Sequence, residues 1–438
     1  MKAAALKYTF LSSAARLSAI IIALIPFHAL LTVWISSGFG HYTAFRLWKE
    51  LLLLFVGLAV VYLVVTDHKI RSHTLTRRLV WLILAYAGLQ LLTGFLSLRA
   101  GTVTPKALAY GLLVDLRFLT FFLFTWAIAL RTNRLKANWQ KLLLWPALVV
   151  IVFGLLQIFV LPADFLRHFG YGPHTIQPFE TVNSNHDYVR IASTLRGPNP
   201  LGAYLIIPIT ALLVLCLQAA KKWRLALGVV AGFVVLGFSF SRSALLGALI
   251  SASLVKLLLA KPAQAKRLLM GFAVVVVVVG SLGALVVHKN SRLENVVLHT
   301  QTKSAVATTS NDGHLHSLQR GLHDIAHQPL GRGPGSAGPA SVYNNGRARI
   351  AENYFLQLGQ EVGMLGLGLF LLINAGLGYL LWLRRTEPLA LILFASLIGL
   401  TVVNLLSHAW ADDTLAYVWW GLAGIAMVTV TADEKSVA

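Results

Sequence analysis

The chain has 438 residues, of which 57% are hydrophobic and only 12% are charged, and its mean hydropathy is +0.72. Soluble globular proteins carry about 25% charged residues, so this composition excludes a soluble enzyme, a disordered protein and a coiled coil and is typical of a polytopic membrane protein. The net charge is +21, from 37 Lys and Arg against 16 Asp and Glu, and the single cysteine excludes an intramolecular disulfide and a cysteine-based metal site.

Apolar runs predict an all-α integral membrane protein with about 12 transmembrane helices, folded as a single polytopic membrane domain over residues 1–438. A helix needs about 20 apolar residues to cross ~30 Å of hydrocarbon. The first run is long enough to span and no cleavage site follows it, so we expect an uncleaved first helix. The predicted spans are 16–38, 46–66, 79–98, 108–130, 143–161, 199–219, 225–239, 242–260, 268–287, 353–383, 388–406 and 413–431.

Basic residues in the short loops predict the orientation. With the N-terminus in the cytoplasm, every short loop on that side contains Lys or Arg, as the positive-inside rule requires. Both termini are then cytoplasmic, and the two long loops, 162–198 and 288–352, are extracytoplasmic. Long loops usually carry function, so we expect the chemistry on the extracytoplasmic face. The same rule explains much of the positive charge, and nucleic-acid binding is not expected.

Asp115 and Arg117 lie inside the fourth predicted span. Residues spaced i,i+2 do not face each other on a helix, so each is expected to have a partner on another helix. Charged residues inside a membrane are functional candidates by default. A structural ion pair between helices is an equally favoured interpretation.

The first long loop ends in two arginines, Arg190 and Arg196, followed by a Gly-Pro-Asn-Pro turn that contains Asn199. The turn leads into the sixth predicted span, and a helix N-terminus with arginines nearby is a natural phosphate site. Arg242 lies in a short turn, 239–243, predicted at the same membrane face. The alternatives are a basic loop that touches anionic lipid and an Arg242 side chain that extends to the headgroups.

The second long loop is predicted to contain an amphipathic helix over about residues 313–327, with leucines on one face and Arg320, His323 and His327 on the other. Two histidines at i,i+4 can bind zinc. No third ligand follows in the sequence, so solvated histidines are favoured over a metal site.

Three more residues of this loop are candidates. Arg332 lies in a glycine-rich stretch, 331–336, that predicts a tight turn or a backbone anion nest. Arg347 follows, and Glu352 is predicted at the N-terminus of the tenth helix, where the helix dipole favours a carboxylate. The functional interpretation of Glu352 is a general base at the outer membrane surface.

Four segments resemble the O-antigen ligase/polymerase family, whose polytopic members use polyprenyl-diphosphate-linked glycans. They are residues 190–202, 239–243, 320–335 and 352–363. Ligases of this family typically carry His-Asn where this chain has Glu352-Asn353, and that histidine acts as the base. Arg320 and Gly331 also have an R-x10-G spacing associated with polymerases.

The resemblance implies an inverting, metal-independent glycosyltransferase without a cofactor, in the bacterial cytoplasmic (inner) membrane. Its donor would be a glycan on undecaprenyl or a similar diphosphate, and its acceptor a glycan, lipid or protein. A polymerase of the same family and a lipid-linked glycan flippase are the alternatives, and a zinc protease is less favoured. The implied roles are a base for Glu352, diphosphate binding for Arg190, Arg242 and Arg320 with support from Arg196, Arg332 and Asn199, and further candidates in His323, Arg347, Asp115 and Arg117.

Overall fold

A computed structural model of the protein describes residues 2–75, 77–182, 185–219, 222–260, 310–346 and 348–428. Most of these residues are helical, and nine of the described helices are long and apolar enough to cross a membrane. The predicted all-α integral membrane class is therefore supported. The helices, numbered in chain order, are α1 Lys2–Leu24, α2 His28–Phe39, α3 Tyr42–Phe45, α4 Trp48–Thr66, α5 His68–Leu75, α6 Arg78–Arg99, α7 Pro105–Ala129, α8 Arg134–Ala137, α9 Trp139–Phe159, α10 Pro198–Gln218, α11 Trp223–Phe238, α12 Arg242–Leu259, α13 Ser310–His327, α14 Tyr354–Leu383, α15 Pro388–Leu406 and α16 Asp413–Ala426.

The predicted spans coincide with helices wherever the chain is described. The first is a 35-residue unit, Ala5–Phe39, in which a short 3-10 helix at Pro26 joins α1 to α2. The short predicted span 225–239 corresponds to α11, which has 16 residues. The predicted span 413–431 corresponds to α16, which is shorter than expected at 14 residues. The predicted span 268–287 lies outside the described residues. Among the described residues the number of full-length spans is therefore nine, and the predicted 12 are not confirmed.

The first long loop contains strands that the helical prediction missed. β1 (Glu180–Val182) and β2 (Asn185–Arg190) pair antiparallel, with Glu180 opposite Arg190 and an irregular register after Thr181. Strands this short leave little periodicity in the sequence. The hairpin matters because it ends at Arg190.

The core of the described helices lies where α7 packs against α16. A Cβ atom on Gly424 would overlap the carbonyl oxygen of Phe122, so only glycine allows this approach. Trp410, Trp419 and Trp420 pack together beside it and are at most 1% exposed. This packing fixes α16 against α7.

α14 is interrupted at Gly363, whose φ of 68° and ψ of −172° suit only glycine. A loop from the second long connection fills the break. The carbonyl of Glu361 accepts a hydrogen bond from the N–H of Gly333 at 2.7 Å, and the N–H of Met364 donates to the carbonyl of Pro329 at 2.9 Å. Irregular backbone within a membrane requires such partners, so this loop is part of the bundle.

Candidate functional site

Arg190 and Arg242 lie close together where two helices begin. Arg190 ends β2, and Arg242 is the first residue of α12. The Arg190 Nη2 donates to Oδ1 of Asn199 in the first turn of α10 at 2.6 Å, and its Nε donates to the carbonyl of Ser239 at 3.0 Å. An ion pair of 3.3 Å joins Arg190 to Glu180. The structure thus brings three of the predicted residues together, and we call Arg190 and Arg242 the arginine pair.

The turn between α11 and α12 supports this arrangement. Phe240 adopts a left-handed conformation with φ of 52°, and the N–H of Ser241 donates to Oγ of Ser239 at 3.2 Å. The N–H of Ile191 donates to the carbonyl of Phe238 at 3.2 Å, which attaches the end of the hairpin to this turn. Backbone contacts therefore hold the two guanidinium-bearing segments side by side.

The arginine pair places two guanidinium groups close together, with Glu180 paired to Arg190. Burial lowers the pKa of Arg190 from its ordinary value, Glu180 opposes the change, and the Arg242 guanidinium lowers the pKa further by like-charge repulsion. Arginine remains protonated at neutral pH, so loss of a proton does not relieve the repulsion. The N-termini of α10 and α12 add partial positive charge. The arrangement favours binding of an anion.

Arg196 lines a cavity of about 250 Å³. Its Nε donates to Oδ2 of Asp412 at 2.8 Å, and Asp412 also caps α16 by accepting from the N–H of Thr414 at 3.0 Å. Burial disfavours the charge of Arg196, but Asp412 and Asp413 raise its pKa above the ordinary value. Arg46 lines the same cavity. The charges of two arginines and two aspartates therefore balance in the lining of this cavity.

Glu352 lies in the turn before α14. Asn353 caps the helix by accepting from the N–H of Leu356 at 3.0 Å, so Glu352 precedes the cap and is not in the first helical turn as predicted. Its φ of 51° is left-handed, a conformation that costs a non-glycine residue about 1–3 kcal/mol. Its carboxylate interacts with His408, in the connection between α15 and α16. Strain at such a position is typical of functional sites.

His408 links Glu352 with Arg196. Burial lowers the pKa of His408 to about 4, the Arg196 guanidinium adds to this effect, and Glu352 opposes it. The imidazole is therefore neutral at pH 7. Its Nδ1 is buried without a hydrogen-bond partner among the described residues. Sequence analysis missed His408 because a histidine at a membrane boundary carries no distinguishing local pattern.

α13 corresponds to the predicted amphipathic helix and lies against α14. Ile325 is 8% exposed and contacts Gly359, whereas Leu322 is 60% exposed. The rings of His323 and His327 stack with centroids 3.9 Å apart, and both residues are exposed. No group of three or more possible metal ligands occurs in the part of the chain that the structure describes.

Arg320 and Arg332 line a cavity of about 430 Å³ that does not include the arginine pair in its lining. The predicted diphosphate residues therefore fall into separate groups. Arg349, which sequence analysis did not select, lines the same cavity and forms an ion pair of 3.5 Å with Asp324. Arg347 lies outside the described residues.

The glycine-rich turn at 331–336 binds a carboxylate of the protein itself. Gly331, Gly333 and Gly335 have φ values of 78°, 93° and 83°, and the N–H of Gly335 donates to Oε1 of Glu361 at 2.9 Å. The side chain of Glu361 also hydrogen bonds with Asp115. In the structure, one backbone N–H of this turn therefore holds Glu361, and the anion nest stays a prediction.

Asp115 and Arg117 are buried and have partners on other helices, as predicted. Asp115 accepts from Nε2 of Gln90 on α6 at 3.3 Å. Arg117 forms ion pairs with Asp413 of α16 and, at 3.8 Å, with Glu50 of α4.

Lys49 completes a buried network around Arg117. This lysine is 1% exposed and lies 2.9 Å from Asp413 and 3.1 Å from Glu50. We call Lys49, Glu50, Arg117 and Asp413 the ion cluster. It has two positive and two negative groups, which suits a structural role.

Residues 227–371 match the family model described as O-Antigen ligase. The matched stretch contains Arg242, Arg320, Arg332 and Glu352, whereas Arg190 and Asn199 precede it. No curated protein matches the chain at a significant level. The family match agrees with the resemblance carried by the sequence motifs and supports the O-antigen ligase family for this chain.

Proposed function

We propose that this protein is a membrane glycosyltransferase that moves a glycan from a polyprenyl diphosphate to an acceptor hydroxyl. The reaction takes place on the extracytoplasmic face of the bacterial cytoplasmic membrane. The family match supports an enzyme that processes lipid-linked glycans. The observation that carries the proposal is the arginine pair, Arg190 and Arg242, which meets at the N-termini of α10 and α12.

The diphosphate of the donor binds at the arginine pair. Guanidinium groups bind phosphate oxygens in bidentate geometry, and Asn199 holds the Arg190 guanidinium at 2.6 Å. The same two arginines stabilise the negative charge that grows on the diphosphate as it leaves. In a site of low dielectric, one such donor is worth about 3–4 kcal/mol of the barrier.

Glu352 is the general base. The acceptor oxygen attacks the anomeric carbon, the bond from that carbon to the diphosphate oxygen breaks, and its electron pair leaves with the diphosphate. Glu352 takes the proton of the acceptor hydroxyl. Attack from the face opposite the leaving group inverts the anomeric configuration. His408 lies in electrostatic contact with Glu352, and its neutral imidazole does not add a positive charge beside this carboxylate.

The same chemistry serves a ligase or a polymerase, because only the acceptor differs. A ligase transfers the glycan to a lipid or protein, and a polymerase transfers it to another lipid-linked glycan. We favour the ligase, and the product identifies which acceptor is used. The donor is already activated by its diphosphate, and the proposed mechanism uses no metal or cofactor.

The test is release of free undecaprenyl diphosphate. The full chain is reconstituted in nanodiscs with an undecaprenyl-diphosphate glycan and a membrane extract that supplies acceptors, with and without EDTA. We expect Glu352→Gln to reduce the rate about 10²–10⁴-fold and EDTA to have no effect. The matched control is Glu387→Gln, which removes a carboxylate paired with Lys136 at 2.7 Å on a different connection.

The outcomes separate the candidate functions. Glycan on a lipid or protein identifies a ligase, and glycan on a second lipid-linked chain identifies a polymerase. Release that persists in Glu352→Gln would contradict the base assignment. Movement of the lipid-linked glycan across the bilayer without any release would contradict the transferase and favour the flippase.

A further inference from the structure

The 430 Å³ cavity takes no part in the transfer step described above. It lies between α13, the turn that precedes α7, and the chain that leads to α14. Among its lining residues are Thr102, Arg320, Asp324, Arg332, Ser336 and Arg349. Its size falls within the range of small-molecule pockets, about 300–1,000 Å³.

The charges of this cavity suit a sugar that carries an acidic group. Three arginines outnumber one carboxylate in the lining. Asp324 is fixed there, because it accepts from Nε2 of Gln360 at 2.8 Å and lies 3.5 Å from Nη1 of Arg349. A bare diphosphate has no hydrogen-bond donor to offer this carboxylate. A sugar ring can donate hydroxyl hydrogen bonds to Asp324 and place its own acidic group at the arginines.

Polar atoms in the cavity wall also lack partners. Ser336 is 6% exposed, and its Oγ has no hydrogen-bond partner among the described residues. Nη1 of Arg349 forms no hydrogen bond of good geometry there either, although it pairs electrostatically with Asp324. Buried polar groups are nearly always hydrogen bonded in native proteins, so these atoms indicate a polar ligand.

The position of the cavity relates it to Glu352. A Cβ atom on Gly321, the residue after Arg320 on α13, would lie 3.1 Å from Leu356 and 3.8 Å from Ala351. The helix that lines the cavity therefore packs directly on the turn that carries Glu352. Arg196 approaches the same turn through His408. A ligand in the cavity lies on the α13 side of the proposed base.

We propose that this cavity binds an acidic sugar residue of the acceptor glycan. The acidic group, a ring carboxylate or a phosphate ester, binds Arg320, Arg332 and Arg349, while sugar hydroxyls bind Asp324 and Ser336. The identification of the sugar as part of the acceptor depends on the proposed transferase function. The binding of an acidic sugar does not depend on it.

The first experiment measures binding of sugars to the protein in the absence of the transfer reaction. Calorimetric titration of the full chain in phosphatidylcholine nanodiscs compares a hyaluronan tetrasaccharide, which contains glucuronate, with neutral chitotetraose. Glucose 6-phosphate tests the phosphate ester, and inorganic pyrophosphate tests a plain diphosphate site. We expect the acidic tetrasaccharide to bind at least 10-fold more tightly than chitotetraose, which corresponds to about 1.4 kcal/mol.

Variants then assign the binding to the cavity. Arg349→Gln should weaken binding of the acidic tetrasaccharide about 10-fold and leave chitotetraose unchanged, and Arg349→Lys should recover part of the loss. The matched control is Arg167→Gln, because that arginine is 65% exposed and pairs with Asp164 in the first long loop. Size-exclusion profiles and thermal unfolding show whether each variant is folded.

Kinetics separates acceptor from donor. In the transfer assay with an acidic acceptor, Arg349→Gln should raise the KM for the acceptor about 10-fold and leave the KM for the donor unchanged. A rise in the donor KM alone would overturn the acceptor assignment. Equal binding of acidic and neutral sugars, or an equal loss in Arg167→Gln, would overturn the site itself. Pyrophosphate binding that Arg349→Gln weakens as much as binding of the acidic tetrasaccharide would also overturn it, because pyrophosphate bound at the arginine pair should not respond to Arg349. Expected binding with no transfer in any assay would contradict the proposed function and leave the acidic-sugar site standing.

Discussion

The ion cluster and the arginine pair are both groups of charged side chains in an apolar protein, but they differ in how their charges are balanced. In the ion cluster, Lys49 lies within 3.1 Å of both carboxylates, and Arg117 pairs with the same two groups. In the arginine pair, Glu180 is the carboxylate that pairs with Arg190, and this glutamate side chain is 49% exposed.

This difference distinguishes charged residues that stabilise the fold from charged residues that take part in function. A buried charge with a buried counter-charge is already stabilised, and removal of one partner leaves the other exposed to a low dielectric. Two like charges held together by backbone contacts repel each other, and an anion bound between them would offset that repulsion. The ion cluster should therefore affect folding, and the arginine pair should affect activity.

Asp413→Asn is expected to have the largest effect. It leaves Lys49 and Arg117 with one carboxylate between them, and breaking a buried pair costs about 3–5 kcal/mol. Thermal unfolding in detergent should show a large loss of stability. The matched control is Asp164→Asn, which removes a surface pair with Arg167 and should cost less than about 1 kcal/mol. Equal stability of the two variants would remove the distinction between the ion cluster and surface charges.

Arg190→Gln should reduce transfer about 10²–10³-fold, which corresponds to about 3–4 kcal/mol of barrier. Stability should change little, because repulsion from Arg242 is lost together with the contacts to Asn199 and Glu180. Initial rates and unfolding temperatures are measured on the same preparation. A variant as unstable as Asp413→Asn, with normal activity per folded molecule, would place the arginine pair among the structural charges.

His408→Gln tests whether a buried histidine that is held neutral makes the stability of the protein depend on pH. The pKa of His408 is lowered from 6.5 to about 4 in the folded protein, so the unfolded chain binds the proton first as the pH falls. The wild type should lose stability between about pH 6.5 and pH 4, by up to about 3 kcal/mol from this residue. His408→Gln should flatten this part of the curve of unfolding temperature against pH. An unchanged curve would show that His408 is not held neutral.

Glu361→Gln should have the smallest effect, about 1 kcal/mol or less. The amide oxygen can still accept from the N–H of Gly335, and the amide nitrogen can donate to Asp115. Thermal unfolding should differ little from the wild type. A loss of stability as large as that of Asp413→Asn would indicate that the glycine-rich turn requires a full negative charge.

Local patterns in the sequence predicted the features that depend on neighbouring residues. Apolar runs predicted the helices, and helical periodicity predicted α13. Helix geometry showed that Asp115 and Arg117 each need a partner elsewhere. It could not name Asp413 as a partner of Arg117, because that contact joins distant parts of the chain.

The sequence predicted which residues belong to the candidate site, but it predicted only part of which of them lie close together. A short hairpin, a backbone turn and a helix N-terminus converge and bring together Arg190, Arg242 and Asn199. Of these three elements, the Pro-Asn turn in the sequence predicted the helix N-terminus. Arg320 was expected beside them and lines another cavity. Its place depends on how α13 packs on α14, and the sequence of α13 does not contain that information.

The break in α14 has a consequence for the biogenesis of the protein. The hydrogen bond between Met364 and Pro329 joins the two ends of the segment 329–364 into a closed loop, and Glu352 lies within this loop. The loop closes only when the chain has returned to α14 at the level of Gly363. A chain whose α14 has not yet entered the membrane lacks this hydrogen bond, and we expect the segment around Glu352 to reach its final arrangement only after α14 is inserted.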